Sequence, residues 1–192
     1  MKIYGDTKSG NCLKVKWVCD KLALPYQWIE IDTRKGETRT PQFLEMNGAG
    51  QVPTVAFDDG RTLAQSNAII RYLARDSALV PRDAFAAAKM DEWLFWEQYS
   101  HEPYIAVCRF QMVYLGKSVG DLDPDKIKRG YAALARMEHQ LALTPFLAGS
   151  SFSLADVSLL AYTRVAPEGG FHLEGYKALR RWIAASEKVL GV

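Results

Sequence analysis

The segment Lys8-Ser9-Gly10-Asn11-Cys12 follows a short apolar strand and places a hydroxyl, a side-chain amide and a thiol within four positions. A loop that ends where a helix begins offers backbone N–H groups with no partner inside the helix. Such a place favours an anion or a thiolate. Ser9 and Asn11 are therefore candidate donors to a charged sulfur or oxygen, although both residue types also serve as plain helix caps. Gln51-Val52-Pro53 precedes a strand. Its Val-Pro bond can be cis, which suits a tight turn and presents the Val52 backbone. Gln65-Ser66 opens another helix, where a hydroxyl, an N–H and a side-chain amide can meet a carboxylate.

Other chemistries are missing their parts. Ser9 has no evident His/Asp partner that would make it a nucleophile. His101, His139 and His172 lack metal-site spacing, so no metal site is expected. Cys12, Cys19 and Cys108 form no C-x-x-C pair. Cys12 and Cys19, seven apart on one helix, stand roughly 10 Å from each other, too far for a disulfide. Free thiols suit a reducing, cytoplasmic setting. Cys12 shares a stripe with Val15 and Cys19, which points to packing at the helix start.

These segments must be held by defined elements. Lys2 to Tyr4 reads as a strand. Residues 12–23 read as a helix with Val15, Val18, Cys19 and Leu22 on one stripe and Lys14, Lys16 and Lys21 off it. Gln27 to Ile31 is a second strand, and Thr40-Pro41 opens a helical turn with Thr40 as cap. Val52 to Phe57 and Arg61 to Ala64 form a hairpin around Asp58-Asp59-Gly60. A helix follows from Gln65 to about Asp76. The order is βαβαββα, an α/β domain over residues 1–78.

Residues 84–192 read as all-helical. A stretch over 84–115 is expected to kink at Pro103. Further helices are expected at 125–143, from Ser153, and at 176–189. Ser153 and Asp156 have capping-box spacing. Glu97, Gln98, His101 and Glu102 are candidates for contact with a ligand or a partner subunit.

The whole chain has 192 residues, 24 basic and 22 acidic, a balance that argues against nucleic-acid binding or a polybasic membrane anchor. No signal peptide or apolar run of spanning length is visible, so no membrane partner is expected.

In combination, Ser9-Gly10-Asn11-Cys12-Leu13-Lys14-Val15, Gly50-Gln51-Val52-Pro53-Thr54-Val55, Leu63-Ala64-Gln65-Ser66-Asn67-Ala68-Ile69-Ile70-Arg71-Tyr72-Leu73 and Phe152-Ser153-Leu154-Ala155-Asp156 resemble the cytosolic glutathione transferase superfamily, over nearly the whole chain. The resemblance implies a thioredoxin-like N-terminal domain followed by an all-helical C-terminal domain. It implies a bacterial serine-type member, with glutathione as co-substrate and no permanently bound cofactor. Ser9 would donate its hydroxyl to the glutathione sulfur, with Asn11 as a second donor. Gln51, Val52 and Pro53 would hold the cysteinyl part, and Gln65 and Ser66 the γ-glutamyl end. Ser153 and Asp156 would form the family's buried structural box. The co-substrate, a small apolar electrophile or a disulfide, would bind between the domains, with Tyr104, Arg109 and Phe110 as candidate wall residues. A homodimer is also implied.

The chain departs from isomerase-type relatives, whose loop reads Ser-Ser-Cys, because Asn11 stands where their cysteine would. Ser-x-Asn spacing resembles members with glutathione-dependent disulfide reductase activity. Other members are non-catalytic binding or assembly modules, but the retained Ser9, Asn11, Gln65 and Ser66 favour a working site. The chemistry asked of it is modest. A free thiol is only about 3% thiolate at pH 7, and lowering its pKa by about two units ionises most of it.

Overall fold

A computed structural model describes residues 1–192, which divide into two compact units, Met1–Ser77 and Ala78–Val192. The first unit is an α/β layer structure. Its strands are β1 (Lys2–Gly5), β2 (Gln27–Glu30), β3 (Thr54–Ala56) and β4 (Thr62–Ala64). They form one sheet in the order β2-β1-β3-β4, with β1 parallel to β2 and the other pairs antiparallel. This is the mixed thioredoxin-like sheet that the sequence predicts. Helices α1 (Gly10–Lys21) and α3 (Ser66–Leu73) pack on each other, and α2 (Pro41–Met46) is a short helix capped by Thr40, whose side chain accepts from the Phe43 N–H at 3.3 Å. Ile3, Val15, Val18, Val55, Ile69 and Ile70 are fully buried and form the apolar centre.

The second unit is all helix: α4 (Ala84–Trp96), α5 (Glu102–Val113), α6 (Pro124–Leu143), α7 (Leu154–Thr163) and α8 (Lys177–Leu190). Every residue of α7 is buried, so α7 is the core around which the others pack. The sequence reading places a kink at Pro103. Instead, the helix widens one turn earlier into a π segment, Glu97–His101, and Pro103 sits in the first turn of α5. Proline cannot donate to the carbonyl four residues back and its ring crowds it, so the preceding turn opens. Glu97 and His101 are fully buried, and His101 Nε2 lies 2.9 Å from Thr163 Oγ1. They serve the interior and do not face an exposed ligand surface.

Asp156 ties three parts of this unit together. Its carboxylate accepts from the Ser153 N–H at 2.9 Å and the Ser153 hydroxyl at 3.2 Å, closing the capping box at the start of α7. It also accepts from the Leu147 N–H at 2.9 Å and from Trp182 Nε1 of α8 at 2.8 Å. Burial pushes this carboxyl above its ordinary range, and the four donors work against that. No helix is long and apolar enough to cross a membrane. No cluster of three or more His, Cys, Asp or Glu side chains is arranged to hold a metal ion.

Candidate functional site

Register builds the site. Tyr4 pairs with Thr54, and Thr54 with Ala64. The C-terminal end of β1, the N-terminal end of β3 and the C-terminal end of β4 therefore lie side by side. The loop that ends at Ser9, the Gln51–Pro53 turn and the Gln65–Ser66 helix start all leave from that one edge of the sheet.

The first loop is pinned from two sides. Glu30, at the end of β2, accepts from the Thr7 N–H at 3.0 Å, the Thr7 hydroxyl at 3.1 Å and Trp28 Nε1 at 2.6 Å. Slight burial raises the Glu30 carboxyl, but these bonds outweigh it and hold the group below its usual value. Asp6 accepts from Lys8 N–H through Oδ1 at 2.8 Å and from Ser9 N–H through its carbonyl at 3.0 Å. Ser9 takes the N-cap position of α1, yet its side chain makes no cap hydrogen bond. The plain capping role open to Ser9 in the sequence is thus not the one its hydroxyl plays.

Cys12 is fully buried, and its Sγ accepts from the Asp6 N–H at 3.4 Å. Burial pushes this thiol up to about 12, against the opposing pull of the Ser9 and Asp6 hydrogen bonds. A thiol raised this far by burial is almost wholly protonated at neutral pH and a poor nucleophile. Native protein treated with iodoacetamide at that pH is expected to stay unlabelled at Cys12, and the denatured protein to label fully, as read by peptide mass spectrometry. Rapid native labelling would make Cys12 a nucleophile in its own right.

Asn11 and Ser66 meet. The Ser66 hydroxyl donates to Asn11 Oδ1 at 3.0 Å and joins the N-terminal ends of α1 and α3. Ser66 is buried, and Gln65 before it is exposed, with φ +69°. That backbone conformation is rare for a residue with a side chain and costs on the order of 1–3 kcal/mol. Such strain concentrates at functional sites, and it holds Gln65 out at the head of α3.

The middle segment is held by its neighbours. Asn47 Nδ2 donates to the Gln51 carbonyl at 2.8 Å, and the Thr54 hydroxyl donates to it at 3.0 Å. The Val52–Pro53 bond is cis. Gly50 sits at φ +61°, a left-handed conformation that strains any residue with a side chain.

Sequence reasoning missed Lys14. The apolar stripe left it out together with Lys16 and Lys21, but it is fully buried, and its Nζ donates to Asn11 Oδ1 at 2.8 Å. The one signal in the sequence was its place three residues after Asn11, the spacing at which helical side chains meet.

The three residues proposed from α5 do not share one face. Tyr104 lines a groove of about 230 Å³ with Trp96, Ser100, Arg129 and Arg136, and its hydroxyl accepts from Arg129 Nη1 at 3.2 Å. Arg109 is tied to Glu168 at 2.6 Å and lies outside that groove. Phe110 is 44% exposed and stacks on Tyr114. Of the three, its ring is the one that offers free apolar surface.

Residues 9–76 match the family described as glutathione S-transferase, N-terminal domain, and residues 124–185 its C-terminal domain. Glutathione S-transferase 3 of Zea mays is 31% identical over 82% of this chain and 74% of that protein. Disulfide-bond oxidoreductase YfcG of Escherichia coli (strain K12) is 24% identical over 93% of this chain and 86% of that protein. A crystal structure of glutathione S-transferase from Pseudomonas fluorescens Pf-5 is 44% identical, with a TM-score of 0.94 over 97% of this chain and 94% of that one.

Proposed function

The chain belongs to the glutathione S-transferase family, and from that premise we propose that it is a serine-type transferase that ionises glutathione for attack on a small apolar electrophile. The observation that carries this reading is the Asn11–Ser66 hydrogen bond at the sheet edge from which the Ser9 loop also leaves, with the Ser9 hydroxyl not capping its own helix. Ser9 donates to the glutathione sulfur, and Asn11 gives a second hydrogen bond. Hydrogen bonds to the charged form, together with the N–H groups at the head of α1, favour the thiolate. Ser9 is a donor throughout and forms no covalent intermediate. The Val52 backbone, beside Gln51 and Pro53, holds the cysteinyl unit. Gln65 and the Ser66 N–H take the γ-glutamyl carboxylate. Tyr104, Arg109 and Phe110 are the candidates for contact with the co-substrate, and Phe110 has the apolar ring surface for it.

A second reading, glutathione-dependent disulfide reduction, is favoured by the Ser9-x-Asn11 spacing and by the likeness to the oxidoreductase of Escherichia coli. One experiment separates these readings from a non-catalytic binding role. Purified protein is passed over immobilised glutathione and then assayed with glutathione and either an activated chloronitrobenzene or a small organic disulfide. Retention with the aryl chloride turned over faster than the disulfide is the expected result. Faster turnover of the disulfide supports the reductase, and retention with neither reaction leaves a binding module. Failure to be retained counts against the glutathione site itself.

A further inference from the structure

A lysine is almost never fully buried unless it is paired, because an ammonium loses its hydration on burial. Lys14 is fully buried in α1, and its Nζ donates at 2.8 Å to the Oδ1 of Asn11, one turn earlier. The same oxygen accepts the Ser66 hydroxyl at 3.0 Å. An ammonium can only donate, so the atom of the Asn11 amide that faces it must be the oxygen. The amide nitrogen is then the end turned away from Lys14. Without that charge the amide can rotate by half a turn and present an oxygen where a donor is needed.

The other charged groups make a cation valuable here. Asp6 and Glu30 lie close enough to push up the Cys12 thiol, and their field opposes a negative sulfur at the head of α1. Lys8 is exposed on the same loop. Arg71 is the one charged side chain on α3, the helix packed against α1. Lys14 is the cation in direct contact with Asn11.

Resting on the reading of Asn11 as a donor to the glutathione thiolate, we infer that Lys14 is a positioning residue for that reaction. It fixes the Asn11 amide with its oxygen toward Lys14 and its nitrogen turned away, and places a buried positive charge one hydrogen bond from that amide. A buried ion pair or ion–amide contact gives weak support to stability, and an apolar residue of similar volume often replaces it without harm. Lys14→Met therefore separates a positioning role from a structural one.

The test measures the pH dependence of kcat/KM for conjugation of an activated chloronitrobenzene, with Lys14→Met, Lys14→Gln and Lys14→Arg beside the wild type. Thermal melts and the affinity for S-methylglutathione, which has no ionisable thiol, are the controls. In Lys14→Met and Lys14→Gln the acidic limb is expected to move up by about one pH unit, a loss of about tenfold below it. The alkaline plateau, the melt and the affinity for S-methylglutathione stay near wild type. Lys14→Arg keeps the charge and restores the limb. In an Asn11→Ala background, Lys14→Met adds less than about a twofold loss, because coupled residues are not additive. An unmoved limb in either neutral variant overturns the inference and leaves the Ser9 site standing. Failure of both neutral variants to fold also overturns it, by making Lys14 structural. A wild type that never ionises glutathione overturns the reading of the site itself.

Discussion

Ser9→Ala is expected to lower kcat/KM for conjugation about 50-fold at pH 6.5, the loss that follows there when a thiol pKa returns upward by about two units. Two units correspond to about 2.7 kcal/mol of preference for the charged sulfur. That is within the range measured when one donor to a developing anion is removed. The effect must shrink as pH rises, because glutathione then ionises without help. The gap to wild type is expected to close to within about threefold above pH 9.5 if ionisation is the whole of the Ser9 role. Affinity for S-methylglutathione should change less than about threefold, since a thioether gives the hydroxyl no charge to stabilise. Stopped-flow rates across pH, with calorimetric binding of the analogue, decide the matter. Equal rates in Ser9→Ala and wild type sink the assignment. Loss of all activity in Asn11→Ala alone moves the principal role to Asn11.

Asp156→Ala is expected to cost the helical unit about 4 kcal/mol or more. The substitution strands four buried donors at once: the Ser153 N–H and hydroxyl, the Leu147 N–H and Trp182 Nε1. Each buried donor left without a partner costs about 1–3 kcal/mol, and whole domains are stable by only about 5–15 kcal/mol. Much of this protein should therefore misfold or precipitate. Asp156→Asn keeps the shape and one acceptor oxygen, and is expected to lose about 2 kcal/mol. Urea unfolding followed by tryptophan fluorescence reads both, since Trp182 is one of the stranded partners. A loss below about 1 kcal/mol in Asp156→Ala would show that the box is dispensable. The specific activity per folded molecule should be unchanged, because Asp156 acts on the fold alone.

The capping box was legible in the sequence because it is local: Ser153 and Asp156 lie three residues apart. The Trp182 bond to the same carboxylate crosses 26 positions, and no spacing rule announces it. The sheet was readable for a similar reason. Alternating short strands with a Pro41 helix start and an Asp58-Asp59-Gly60 turn each carry their own signal, and the observed sheet follows from their order. Periodicity misplaced Lys14 because it weighs only apolar residues on one stripe. What buries Lys14 includes a polar partner on its own helix that is in turn bonded to Ser66. The strain at Gln65 was equally invisible, since a positive φ at glutamine follows from the turn between β4 and α3 and not from the residue type. Proline at 103 was legible as a disturbance, but its effect fell on the preceding turn, where the carbonyl it crowds resides.

The register Tyr4–Thr54–Ala64 has a consequence for how the molecule matures. The candidate donors at the sheet edge come from positions 9, 11, 52 and 66, so the complete set exists only when three separate segments have come together. The hairpin of β3 and β4 must close on β1 before Ser66 can reach Asn11. A chain that ends before the seventh decade of residues lacks Ser66 and the hydrogen bond that joins the heads of α1 and α3. Any ligand that binds only the assembled edge stabilises the closed sheet by mass action.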